Sequence, residues 1–189
     1  MSRFLRTVII FFVVVMARQV VAAQPGQSRE LQYLWVEDGY QIAVDNDPAW
    51  KWALDKSKKQ SVLIIETPDL YYPPATVNVR YMRGEKISSN ELYFKKVADS
   101  AIAHAAVNFG GSEVSEASLT KTVYGQLTGY EKTFNGKVNG DDREIKIFVC
   151  RNKSNEILVM SVITLLNKMT DIEPAVERIW SHISFLEHQ

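Results

Sequence analysis

The chain has 189 residues, 46% of them hydrophobic, with 22 basic and 22 acidic side chains, three histidines and one cysteine. The charge balance argues against a nucleic-acid partner, which would be held by an excess of phosphate-binding cations. A single cysteine and histidines scattered at 104, 182 and 188 exclude an internal disulfide and a Cys/His zinc centre.

The chain opens "MSRFLRTVIIFFVVVMARQVVAA". Two early arginines (Arg3, Arg6), an apolar run from Val8 to Ala17 and small residues at Val21, Ala22 and Ala23 have the layout of a secretory signal peptide, residues 1–23, cleaved after Ala23. The rival is a retained anchor, but Arg18 and Gln19 break the apolar run well short of the ~20 residues that span a bilayer. No cysteine near the cleavage point offers a lipid attachment site. The expectation is a secreted, periplasmic protein with no stable membrane span once the signal is removed. Loss of Arg3, Arg6 and Arg18 leaves 19 basic side chains against 22 acidic ones, a net charge near −3. Residues 24–30 read as a flexible leader and 31–189 as one domain, large enough to bury a core without a covalent staple.

In "GYQIAVDNDPAW", Tyr40, Ile42 and Val44 alternate with polar positions before a turn at Asn46–Pro48, which predicts a short strand and then a loop carrying Trp50 and Trp52. "SVLIIE" (61–66) is a β-branched run of strand length with both faces covered. Three prolines in eight residues exclude regular structure from "PDLYYPPA" (68–75). "TVNVRYM" (76–82) then places Val77, Val79 and Tyr81 on one strand face. "SSNELYFKKVADSAIAHAAVNFGG" switches to helical spacing. Ser88, Ser89 or Asn90 can cap its start, Gly110-Gly111 stops it, and Phe94, Val97, Ala98, Ala101, Ile102 and Ala105 form its apolar stripe.

The second half contains three β-rich segments, "TVYGQLTGYEKTF", "REIKIFVCR" and "EILVMSVITLL". Two Asn-Gly steps (Asn135-Gly136 and Asn139-Gly140) and "NKSN" (152–155) separate them, the pattern of an antiparallel meander whose first hairpin has an extended tip. "TDIEPAVERIWSHISFLE" supplies a last helix with Ile172, Val176, Ile179, Trp180 and Ile183 inward. Thr170 and Glu173 fit a capping box, and Pro174 stays within the tolerant first turn. The expected class is α+β: an antiparallel sheet ending in a meander, with a helix on each face, an α/β/α sandwich.

The "GY" strand, the β-rich strand pair and the closing "IEPAVERIWSHISF" helix resemble the PsbP-like α/β/α sandwich superfamily. That group also holds DcrB-type periplasmic proteins, Ran-binding import factors and type VI effector chaperones. The resemblance covers residues 40–186 in pattern, and the residues that can be quoted for it run from Gly129 to Phe185. It rests on fold-building residues and implies a non-enzymatic protein that binds or positions another macromolecule. It carries no site residue onto this chain.

The motifs that would carry chemistry are sparse. Aligning an EF-hand loop on Gly140 puts Lys137 and Lys146 at ligand positions, so that match fails; a looser site through Asp141, Asp142 and Glu144 stays open. Cys150, on the same strand face as Lys146 and Phe148, is a small core filler unless a histidine meets it in space. Asn152-Lys153-Ser154 is formally a glycosylation sequon. No nucleophile elbow, zinc helix or phosphate-cradling loop is present in the sequence, and no cofactor is expected. The remaining candidates are aromatic. Trp50 and Trp52 either close one end of the core or, with Tyr71 and Tyr72, contact a protein partner in the cell envelope. Two alternatives are a carrier for a small apolar ligand lined by Phe94, Ile102 and Val159, and a hydrolase built on Cys150.

Overall fold

The computed structural model describes residues 31–36, 40–45, 51–55, 61–66, 75–110 and 119–185. The expected signal peptide and leader, together with Trp50, Tyr71 and Tyr72, lie outside these residues.

The described residues form ten strands and two helices in chain order. They are β1 (Leu31–Val36), β2 (Tyr40–Asp45), β3 (Lys51–Asp55), β4 (Ser61–Glu66), β5 (Ala75–Lys86), α1 (Glu91–Asn108), β6 (Thr120–Tyr124), β7 (Leu127–Val138), β8 (Asp141–Arg151), β9 (Glu156–Thr164), α2 (Met169–Ser181) and β10 (Ser184–Phe185). Seven strands form one antiparallel sheet in the order β3-β4-β5-β9-β8-β7-β6, and β1-β2-β10 form a second, smaller one. The nearly continuous apolar run of β9 sits at the centre of the large sheet, where both faces of a strand are covered.

Alternation along the central strands divides the core in two. Val77, Val79, Phe148, Cys150, Leu158, Met160 and Val162 meet Ile172, Val176, Ile179 and Trp180 of α2, together with Tyr40 and Ile42 of β2. Ile145, Ile147 and Val149 point the other way, against Phe94, Ala98 and Ile102 of α1. One helix therefore covers each face, as the sequence predicts. Trp180 stacks on Phe148 with ring centroids 5.5 Å apart, and Tyr124 stands edge-on to both at 5.1 and 4.9 Å. Such aromatic pairs add to the apolar burial that holds α2 down.

Four local expectations are corrected. "TVYGQLTGYEKTF" is two strands, split by a turn at Gly125-Gln126. Gly125 has φ +57°, and a Cβ there would lie 2.1 Å from the Ser181 carbonyl oxygen, so the turn needs glycine to pass beneath the end of α2. The β7–β8 hairpin has no extended tip: Asn139 and Gly140, at φ 53° and 89°, form a tight two-residue turn closed by Val138 and Asp141. The first Asn-Gly step lies inside β7, where a Cβ on Gly136 would meet the Phe109 carbonyl oxygen at 2.8 Å. That glycine lets the end of α1 dock on the strand, and the Lys137 amide donates to the same carbonyl at 2.5 Å.

The capping box at Thr170 and Glu173 does not form either. Met169 opens the helix, its first amides bond to Glu144 of β8, and Glu173 turns to Lys146. Finally, α2 ends at Ser181, and the chain continues as β10, whose Ser184 and Phe185 pair with Gln41 and Tyr40. At the start of α1, by contrast, Asn90 caps as expected, its side chain accepting the Tyr93 amide at 3.0 Å, and Gly110 (φ +63°) follows the helix end.

Candidate functional site

Of the four aromatic contact residues, only Trp52 falls among the described residues. It lies on β3 rather than in a loop, paired with Ile65 at one edge of the large sheet. The other chemistry-bearing residues do not converge. Cys150 is fully buried on the α2 side with Sγ 3.7 Å from the Leu158 carbonyl, and burial pushes its thiol pKa well up, away from the reactive thiolate. His104 is exposed on α1, on the opposite side of the sheet, and His182 is exposed with Nδ1 against the Arg178 carbonyl, 2.7 Å away. His188 lies outside the described residues.

The three acids of the looser cation site also part company. Asp141 pairs with Arg143 at 3.0 Å, Asp142 with Lys137 at 3.1 Å, and Glu144 is taken by the start of α2. Among the described residues no group of three or more His, Cys, Asp or Glu side chains is placed to hold a metal ion. Asn152 of the sequon is buried, with Nδ2 donating to Glu156 at 2.9 Å and Oδ1 accepting the Ser154 and Glu156 amides. A glycan there would have to break that turn. Phe94, Ile102 and Val159, the proposed carrier lining, pack together in the core between α1 and the sheet.

Two side-chain clusters remain that the sequence reading did not assemble. The first lies under α2. Lys146 is buried at 5% side-chain exposure, forms an ion pair with Glu173, and has Glu131 3.6 Å away. Glu131 in turn accepts the Tyr124 hydroxyl at 2.7 Å. Burial, then the bond to Glu131, pushes the Tyr124 hydroxyl pKa far up, so it stays a donor. The ammonium has carboxylates on two elements as partners, so the cluster ties α2 to the sheet. Its signal in the sequence was a lysine sharing a strand face with Phe148 and Cys150.

The second cluster latches the first turn of α1. Glu91 Oε1 accepts the Tyr130 hydroxyl at 2.8 Å and pairs with Lys121 at 2.6 Å, while Oε2 pairs with Arg151 at 2.8 Å. Arg151 also lies over the Phe94 ring, 4.6 Å from its centroid. Hydrogen bonds from Lys121 and Tyr130, against a smaller opposing burial effect, hold the Glu91 carboxyl below its ordinary range. Burial and the bond to Glu91 raise the Tyr130 hydroxyl pKa.

The side of the sheet that carries this latch also carries most of the exposed apolar side chains of the described residues. Leu92 and Tyr93 project from the first turn of α1 at 64% and 54% exposure, Val107 from its last turn, about 22 Å further along the helix, at 64%, and Val123 of β6 is 61% exposed. Tyr124 points to the α2 side, so strand alternation places Val123 with Lys121 on the α1 side. Among the described residues β6 is an edge strand, bonded only to β7. Four of the five large hydrophobics exposed among the described residues thus lie on one side of the sheet; Leu166, in the β9–α2 turn, is the fifth. Single exposed apolar residues are ordinary, but their gathering on one face is what an interaction surface requires. No helix among the described residues is long and apolar enough to cross a membrane.

No family model matches the chain, and no curated protein matches it. Solved structures do. LpqN of Mycobacterium tuberculosis, described as involved in cell envelope biogenesis, is 11% identical with a TM-score of 0.53, over 84% of this chain and 92% of that one. The cyanobacterial PsbP of Synechocystis sp. PCC 6803 is 11% identical with a TM-score of 0.49, over 86% and 96%. A Bacteroides thetaiotaomicron protein is 9% identical with a TM-score of 0.48, over 79% of this chain but only 46% of its own. At such identities the likeness to LpqN is one of fold alone.

Proposed function

We propose that this chain is a non-enzymatic accessory protein of the cell envelope that binds a protein partner through the α1 side of its large sheet. A second contact surface, carried by the sequence alone, is formed by Trp50, Trp52, Tyr71 and Tyr72. The observation that carries this reading is the placement of Leu92, Tyr93 and Val123, with Val107 at the far end of α1, on one side of the sheet. Aromatic and aliphatic side chains of this kind anchor interfaces, and the charged Glu91, Lys121 and Arg151 beside them supply a polar rim.

The envelope location is supported by the signal-like residues 1–23 and by the fold shared with LpqN. Membership of the PsbP-like superfamily belongs to the same proposal, resting on the "GY" strand and the closing helix. A catalytic role has less support, because Cys150 is buried and His104 lies across the sheet from it.

Affinity capture from an envelope extract tests the reading, with the full chain and its Leu92→Ala/Val123→Ala and Tyr71→Ala/Tyr72→Ala variants as bait. A partner retained by the parent and lost from the variants supports it. Equal recovery by all three baits removes both surfaces from consideration.

A further inference from the structure

The two Asn-Gly steps are chemically identical dipeptides placed in opposite structural settings. Asn-Gly is the dipeptide at which a backbone amide most readily attacks the preceding side chain, because glycine has no Cβ to hinder the approach. In that reaction the Gly nitrogen bonds to the Asn Cγ, the Cγ–Nδ2 bond breaks, and the amide proton leaves with the side-chain nitrogen as ammonia. Water then opens the cyclic imide at one of its two carbonyls. The products are aspartate and isoaspartate, and no oxidant or other co-reactant is needed.

We propose that Asn139 is a spontaneous modification site of this kind in the folded protein and that Asn135 is protected. Asn139 and Gly140 are exposed at the tip of the hairpin, and nothing lies within 4 Å of where a Gly140 Cβ would be. The pair Val138–Asp141 closes the turn, so the Gly140 amide lies outside the ladder. Only the last ladder pair has to open for the turn to reach the reactive geometry, and hairpin ends open at low cost.

Asn135 is held differently. Counting back from Val138–Asp141, the alternation of an antiparallel ladder makes Gly136–Arg143 a hydrogen-bonded pair, which engages the very amide that would attack. The next amide, Lys137, faces away from β8 and donates to the Phe109 carbonyl, in keeping with that parity. Gly136 is buried with the Phe109 carbonyl and Ile145 Cδ1 against it. Freeing it requires β7 to separate from β8 and the end of α1 to lift.

Conversion at Asn139 adds a negative charge next to Asp141 and Asp142. The isoaspartate product also lengthens the backbone inside a two-residue turn, so it disturbs the hairpin register as well as its charge.

The test is to age the full chain at mildly alkaline pH, native and in denaturant, and follow both sites by peptide mass spectrometry with isoaspartate detection. In the native protein Asn139 is expected to convert at least about tenfold faster than Asn135, and in denaturant the two rates are expected to converge. Equal rates at the two sites in the native protein, or faster conversion at Asn135, would overturn the proposal. So would an Asn139 that stays unmodified in the native protein while both sites convert in denaturant.

Discussion

Glu144, near the start of β8, caps a helix that begins 25 residues later: one carboxylate oxygen accepts the Lys168 amide at 3.0 Å and the Met169 amide at 2.8 Å. The negative charge also complements the positive end of the α2 dipole. A residue of a hairpin strand thereby sets where α2 lies on the sheet. Glu144→Ala is expected to cost about 1 kcal/mol, the usual effect of losing a helix cap, measured by denaturant unfolding. Glu144→Gln, which keeps the acceptor and loses the charge, is expected to cost less.

Lys146 lies one turn further along the same helix–sheet contact. Breaking a buried pair from one side leaves an uncompensated charge. Lys146→Met is therefore expected to destabilise by about 2 kcal/mol, below the range for fully buried pairs because Glu173 retains 36% exposure. Adding Glu131→Gln should recover part of the loss, since it removes one of the stranded carboxylates. A double variant no more stable than Lys146→Met would show that the cost comes from packing rather than charge.

Glu91 makes stability pH-dependent at the acid end. Its carboxyl ionises below the ordinary value of 4.5 in the folded state, so folding favours the ionised form. The stabilisation is complete above the unfolded value and is lost as pH falls through the lower folded one. Glu91→Gln is expected to flatten the acid limb of stability against pH below about 4.5 while the neutral-pH profile keeps its shape. An acid limb of unchanged slope would mean that the contacts with Lys121, Tyr130 and Arg151 are not maintained in solution.

The sequence made the large features legible because they are written as periodicity. Phe94, Ala98 and Ile102 recur at helical spacing, and Ile145, Ile147 and Val149 alternate with Phe148 and Cys150, so a helix on each face of the sheet is legible in the sequence. What escaped depends on a second element for its meaning. Gly125 looks like any strand glycine until Ser181 is above it, and Glu144 looks like a solvated hairpin acid until α2 is placed. Gly136 and Gly140 are indistinguishable as Asn-Gly steps, yet one docks a helix and the other makes a turn. The polar clusters around Lys146 and Glu91 join three or more elements each, and sequence spacing does not report such meetings. Among the aromatic candidates, Trp52 is placed on an edge strand, while Trp50, Tyr71 and Tyr72 lie outside the described residues.

The central claim is that the α1 side of the sheet is a protein-contact face. Its most direct measurement is photo-crosslinking in intact envelopes, with the reactive group placed at Tyr93 or Val123 and, as a control, at Asp142, which strand alternation places with Phe148 on the α2 side of the sheet. A discrete crosslinked species of higher mass, carrying one recurring partner, is expected from Tyr93 and Val123, and none from Asp142. Crosslinking at all three positions with equal yield, or at Asp142 alone, would contradict it.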